Sequence, residues 1–306
     1  MRIAPILAML AVAAPSIGSA QKRGKPPAGP ALPEETLQLL TARGAAYAAA
    51  GQYDQAIGDF TRAIQLRPDD PEPYKARGMA RAALRQYQEA IEDFGLSLAR
   101  KPDDEPVFVE RALSYAALAS YAPARQDLDS ALRLNPEDVR AYSIRGAVRN
   151  ELGDLDGAAA DFTEALHRNP KDARLFLSRG AVYARQQKDA GALADREQAV
   201  ALDPQNAEAH TARAVSYYLL GHREKALDDL GAAIALAPGY APAWEERGNI
   251  YLQLQRYDDA LADLERAQKL NPGNPETQTR IAAAQARIHE IVLRDGAQEA
   301  IPDTGI

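Results

Sequence analysis

The sequence predicts an all-α array of repeated helical hairpins, and three observations carry that prediction. Prolines stand 34 residues apart in series, at Pro68, Pro102, Pro136, Pro170, Pro204, Pro238 and Pro272. With each proline set at position 32, seven units span 37–70, 71–104, 105–138, 139–172, 173–206, 207–240 and 241–274. Small residues recur at fixed places: Gly or Ala at position 8, Ala at position 20 throughout, and Ala at position 27 except for Ser97. Helix backbones approach closely only where side chains are small, so these places mark helix-on-helix contacts. Position 4 is large in every unit (Leu40, Tyr74, Phe108, Tyr142, Phe176, His210, Trp244), and position 24 is Phe or Leu in six, which fills the space between those contacts.

The segments follow in chain order. Residues 1–20 carry Arg2, an uncharged stretch from Ile3 to Ile17, and small residues at Gly18-Ser19-Ala20, the three-part layout of a secretory signal cut after Ala20. The stretch is shorter than the roughly 20 residues that cross a bilayer, and Pro5 and Pro15 interrupt it. A mature protein with no membrane span, periplasmic or secreted, is expected. Residues 21–33 (QKRGKPPAGPALP) have the composition of an extended linker. The seven repeats occupy 34–274. Residues 275–294 read as a helix with Pro275 in its first turn, ending near Gly296 and capping the last apolar face; 295–306 is expected to be a flexible tail.

The pattern of large-4, Gly/Ala-8, Tyr-11 (Tyr47, Tyr115, Tyr183, Tyr217, Tyr251), Ala-20, aromatic-24, Ala-27 and Pro-32 resembles the tetratricopeptide repeat family from residue 37 to 274. The resemblance implies a right-handed superhelical solenoid of antiparallel helix pairs that binds a partner segment on its concave face.

One departure repeats. Position 7, usually apolar in that family, is here Arg43, Arg77, Arg111, Arg145, Arg179, Arg213 and Arg247, and position 23 is Asp59, Asp93, Asp127, Asp161, Asp195, Asp229 and Asp263. A turn centred near position 14 or 15 sets residue 7 level with residue 22 or 23, so the two can pair within a hairpin. The same arithmetic across the next turn brings each Asp to the Arg of the following unit as well. An internal ladder of ion pairs is expected rather than a guanidinium row for an anionic ligand, because matched charges at one level satisfy each other. The fifth unit is expected to be the weak point: Arg196 replaces the apolar residue at position 24, Gly191 lies inside the second helix, and Asp189 stands where four other units have Tyr.

No chemistry is evident. The balance of 36 Lys+Arg against 43 Asp+Glu disfavours nucleic acid, and the absence of cysteine removes thiol and cysteine–metal chemistry. His167, His210, His222 and His289 share no ligand spacing, and His210 reads as a core residue. Asp154 and Asp156 before Gly157 resemble the start of a calcium loop but lack its later ligands; Asp near a helix start is the simpler account. Motifs for nucleotide phosphate, serine hydrolysis and zinc proteolysis are missing. No catalytic residue, cofactor or metal is expected, and the chain reads as a non-enzyme.

In the tetratricopeptide family, positions 2, 5, 6, 9, 12 and 13 line the concave surface. Here the resemblance assigns to that groove Met79, Val109, Leu113, Ile144, Leu177, Val215, Tyr218, Leu219, Glu245, Glu246, Asn249 and Gln253. Its expected apolar centre lies where Leu113, Ile144, Leu177, Val215, Tyr218 and Leu219 converge, with an acidic rim at Glu245 and Glu246; the alternative is that this lining packs on the chain's own linker or on neighbouring helices. The basic and amide set with which some members clamp chaperone tails is absent. The implied function is a scaffold outside the cytoplasm that holds a partner helix or extended peptide. A transient client-binding assembly factor of the cell envelope is the alternative, and an accessory subunit of an enzyme a third.

Overall fold

The computed structural model describes residues 33–299. The expected signal, the linker up to residue 32 and the tail from residue 300 lie outside the described residues. The helices come in pairs, one pair per unit: α1 (Pro33–Ala49) with α2 (Tyr53–Leu66), α3 (Pro71–Ala83) with α4 (Tyr87–Arg100), α5 (Glu105–Ala117) with α6 (Tyr121–Leu134), and α7 (Val139–Glu151) with α8 (Leu155–Arg168). The series continues with α9 (Ala173–Arg185) and α10 (Asp189–Leu202), α11 (Ala207–Leu219) and α12 (Arg223–Leu236), α13 (Ala241–Gln253) and α14 (Tyr257–Leu270), and ends in the single helix α15 (Pro275–Glu299). Among the described residues there is no strand, and no helix is long and apolar enough to cross a membrane. The last helix runs past Gly296, further than the composition of the tail suggested.

Each hairpin closes by the same turn. Position 15 is left-handed throughout, at Gly51, Arg85, Ala119, Gly153, Gln187, Gly221 and Gln255. One amide further on, the position-16 N–H reaches back to the position-11 carbonyl, as in Gln52 to Tyr47 at 2.8 Å and His222 to Tyr217 at 2.8 Å, which satisfies a carbonyl at the helix end. Side-chain caps start several helices: Asp70, Asp138, Asp172 and Asn206 each accept a backbone N–H at the start of a first helix, and Asp154 accepts that of Gly157, so this Asp is a cap.

The small positions meet inside the hairpins. Every position-20 Ala is at most 1% exposed. At position 8 a Cβ on Gly44 or Gly78 would stand 2.7 or 2.8 Å from the ring of Phe60 or Phe94, so glycine is required by that ring. Ser97, the one exception at position 27, donates to the Pro71 carbonyl at 3.1 Å and so buries its hydroxyl satisfied.

The described residues divide into two compact units, one up to Pro170 and one from Lys171. In the first, four hairpins stack in sequence, and a buried cluster of Val109, Ala112, Leu128, Ala131, Ile144 and Val148 joins α5, α6 and α7. In the second, three hairpins stack in sequence and α15, where Ile281 and Ala284 are buried, packs on α14.

Candidate functional site

The Arg and Asp residues at positions 7 and 23 meet in every hairpin. The guanidinium offers Nε and Nη2 to the two carboxylate oxygens, as in Arg43 with Asp59 at 2.6 and 2.6 Å and Arg213 with Asp229 at 2.7 and 2.7 Å. The same two-point pairing joins Arg77 to Asp93, Arg111 to Asp127, Arg145 to Asp161, Arg179 to Asp195 and Arg247 to Asp263. All seven Asp residues are buried. The hydrogen bond from Arg43 holds the Asp59 carboxyl below its usual range, and the bond that Arg111 donates to Asp127 raises the pKa of its guanidinium.

The expected second partner of each Asp is corrected. Asp93 and Asp161 do take a second arginine, but it is Arg81 (2.8 Å) and Arg149 (3.0 Å) at position 11 of the same hairpin, not position 7 of the next. These are the two units with Arg in place of Tyr at position 11, a signal present in the sequence. The contact between hairpins comes instead from the third arm of Arg77 and Arg145, whose Nη1 reaches position 25 of the preceding hairpin, Thr61 at 3.1 Å and Asp129 at 2.7 Å.

Two groove assignments are corrected by burial. Val109 is 1% and Ile144 0% exposed, and both belong to the core of the first unit. The helical wheel of one hairpin leaves positions 5 and 6 bare, but the adjoining hairpin covers them. Leu113 is half-buried against the same cluster. In the second unit Leu177 packs against Ala199, Val200 and Ala209. Met79 and Leu219 remain open, at 43% and 58%.

Five of the assigned residues do come together. Val215 and Tyr218 of α11 and Glu246, Asn249 and Gln253 of α13 line a cleft of about 510 Å³ in the second unit. Ile250 and Leu252 of α13 and Arg280 of α15 complete it. Arg280 could not be placed from the repeat pattern, because α15 lies beyond the last period. Glu245 is not the rim charge that was expected. It accepts from Asn274 Nδ2 at 3.0 Å, Thr277 Oγ1 at 3.0 Å and Arg280 Nη1 at 2.6 Å, and so fastens α15 to α13.

Glu246 differs from its neighbour. It is half-buried, and burial raises its pKa, with Asn249 as its hydrogen-bonding side chain. Burial likewise raises Glu208, and it pushes Tyr240, near both carboxylates, up to about 12.

His210 is held on both ring nitrogens, Nδ1 at 3.1 Å from Asp229 and Nε2 at 3.1 Å from the Pro204 carbonyl. Trp244 repeats the second contact one unit later, donating to Pro238 at 3.1 Å. In these two units the position-4 ring reaches the carbonyl of the preceding position-32 proline. Among the described residues no group of three His, Asp or Glu side chains could hold a metal ion.

Family models described as tetratricopeptide repeat match residues 38–70, 109–165, 151–207, 207–240 and 241–274. A search of curated protein sequences finds no match. Among solved structures, a tetratricopeptide repeat protein from Parabacteroides merdae is 19% identical over 82% of this chain and 99% of its own, with a TM-score of 0.66. PilF of Pseudomonas aeruginosa is 18% identical over 71% and 99%, with a TM-score of 0.60. YrrB, described as a TPR protein with an unusual peptide-binding site, is 23% identical over 60% and 95%, with a TM-score of 0.52. At such identities the likeness is one of fold. Together with the repeating pairs of helices, the matches to the family models show that this chain belongs to the tetratricopeptide repeat family.

Proposed function

We propose that the protein is a non-enzymatic scaffold outside the cytoplasm that holds a helix or extended segment of a partner protein against the first helices of its second unit. Its family is one of protein-interaction arrays, and YrrB, a structural neighbour, is described as having a peptide-binding site. The observation that carries the reading is the cleft between α11, α13 and α15. Apolar walls at Val215, Tyr218, Ile250 and Leu252 stand beside a few polar groups, which is the make-up of a recognition site for a side chain. The signal-like residues 1–20 support the location.

Affinity capture with the mature chain from an envelope extract of the native host tests the reading. One stoichiometric partner, lost with Tyr218→Ala plus Leu219→Asp at unchanged helical circular dichroism, is the expected result. Many substoichiometric clients would favour a transient assembly factor, and capture that ignores both substitutions would move the binding surface elsewhere. Amino-terminal analysis of protein from the host should begin at Gln21; an intact Met1 would contradict the location.

A further inference from the structure

The charge around the Arg280 end of the cleft is unbalanced. Three carboxylates, Glu245, Glu246 and Glu276, stand near one guanidinium, that of Arg280. Arg280 is engaged by Glu245 at 2.6 Å and by Glu276 at 3.4 Å. Glu246 therefore faces the cleft without a basic side chain bonded to it, and its hydrogen-bonding neighbour is the neutral Asn249. The carbonyl oxygen of that Asn249 is itself buried and accepts from nothing. A carboxylate with no cation bonded to it thus lies at one end of a cleft whose other walls, Val215, Tyr218 and Leu252, are apolar. A half-buried carboxylate without a counter-charge is costly, and an incoming ammonium or guanidinium would supply one.

Resting on the scaffold reading above, we propose that this cleft receives a lysine or arginine side chain of the partner segment. The aliphatic stem of that side chain lies along Val215, Tyr218 and Leu252, and its charged end meets the Glu246 carboxylate. A long basic side chain suits such a site because its stem is apolar and only its tip is charged. An acidic or phosphorylated segment would meet carboxylates and be excluded.

The test pans a library of random dodecapeptides displayed on phage against the full mature chain. Enriched peptides should carry a Lys or Arg next to an aliphatic residue. Glu246→Gln should weaken a selected peptide by roughly tenfold or more, as should Ala in place of its basic residue, and the two losses should not add. Glutamine keeps the shape of the side chain and removes only an unpaired charge, so the thermal melt of the variant should stay at or above that of the wild type. Enriched peptides without a basic residue, or binding indifferent to Glu246→Gln, would overturn the proposal and leave the scaffold reading standing. No enrichment over a bare support would overturn both. Binding that appears only after residues 21–32 are removed would assign the cleft to Lys22, Arg23 or Lys25 of the chain itself, and self-association abolished by Glu246→Gln would assign it to a second copy; either result overturns a partner as occupant.

Discussion

Asp161 receives two hydrogen bonds from Arg145 and a third from Arg149, and it is 2% exposed. Removing it leaves two guanidinium groups facing each other in a buried site, whereas Asp127 has Arg111 alone as its arginine partner. Asp161→Ala should therefore cost on the order of 3 kcal/mol and more than Asp127→Ala, because breaking a buried pair is expensive even where the intact pair contributes little. Thermal melts of the two beside Glu164→Ala, a partly exposed control, test this; equal shifts in all three would mean that the pairs are solvated. Glu105 is a second sensitive residue. Burial first, and then the adjacent Asp138 carboxylate, push its pKa up to about 7, while Arg140 opposes the shift and Asp104 adds to it. The folded value lies above the unfolded one, so the native state binds the extra proton. That contribution to stability is fully present below the ordinary carboxylate range and is lost as pH rises through about 7. The melting temperature of Glu105→Gln minus that of the wild type should grow from pH 5 to pH 8, and a constant difference would contradict the protonated pair. The pairing of position 7 with position 23 was legible in the sequence because it repeats at one spacing. The titration of Glu105 was not, since it depends on a burial that no repeat position announces.

At the scale of the helix, five hairpins match the size of position 8 to that of position 24, while Gly248 faces Leu264, 2.8 Å from where its Cβ would stand, and Gly180 faces Arg196. Gly44, Gly78 and Gly146 face Phe60, Phe94 and Phe162, while Ala112 and Ala214 belong to the hairpins with Leu128 and Leu230. Gly78→Ala should destabilise by about 1–3 kcal/mol through overpacking, and Phe94→Leu in the same chain should recover part of the loss, because the pair then copies two natural hairpins. A double-mutant cycle in urea checks the coupling, and strict additivity would show that the two positions do not touch. The left-handed turn residue at position 15 was hidden in the sequence for a related reason. Glycine occupies it in only three hairpins, and Arg85, Ala119, Gln187 and Gln255 adopt the same conformation without that marker. Val109 and Ile144 were misread for want of the neighbouring hairpin, and the part played by Arg280 in the cleft for want of α15.

Across the whole molecule, stability in such an array is roughly a sum of terms within hairpins and between neighbours, so one poor hairpin can open while the rest holds. The fifth hairpin has that character. Arg196 is 8% exposed where the others place Phe or Leu; Ser216 accepts from its Nη1 at 2.6 Å, and its Nε is buried without a partner. Burial lowers its pKa. Gly191, by contrast, has a local reason, since a Cβ there would stand 3.2 Å from the Tyr183 ring. Amide exchange should be faster across α10 than across α8, and Arg196→Leu should abolish the difference while stabilising the chain by about 1–4 kcal/mol. Uniform protection in the wild type would remove the weak hairpin from the account. The repeat period displayed the helical hairpins of the molecule, because every unit restates them. The cleft was only half displayed, because it forms where the repetition stops. Its role as the seat of a partner is the central claim, and site-specific photo-crosslinking in the native host tests it most directly. A crosslinker in place of Leu219, exposed at the end of α11, should trap a single protein partner, and one in place of the exposed Arg266 on α14 should not. Adducts from the second position alone, or from neither, would contradict it.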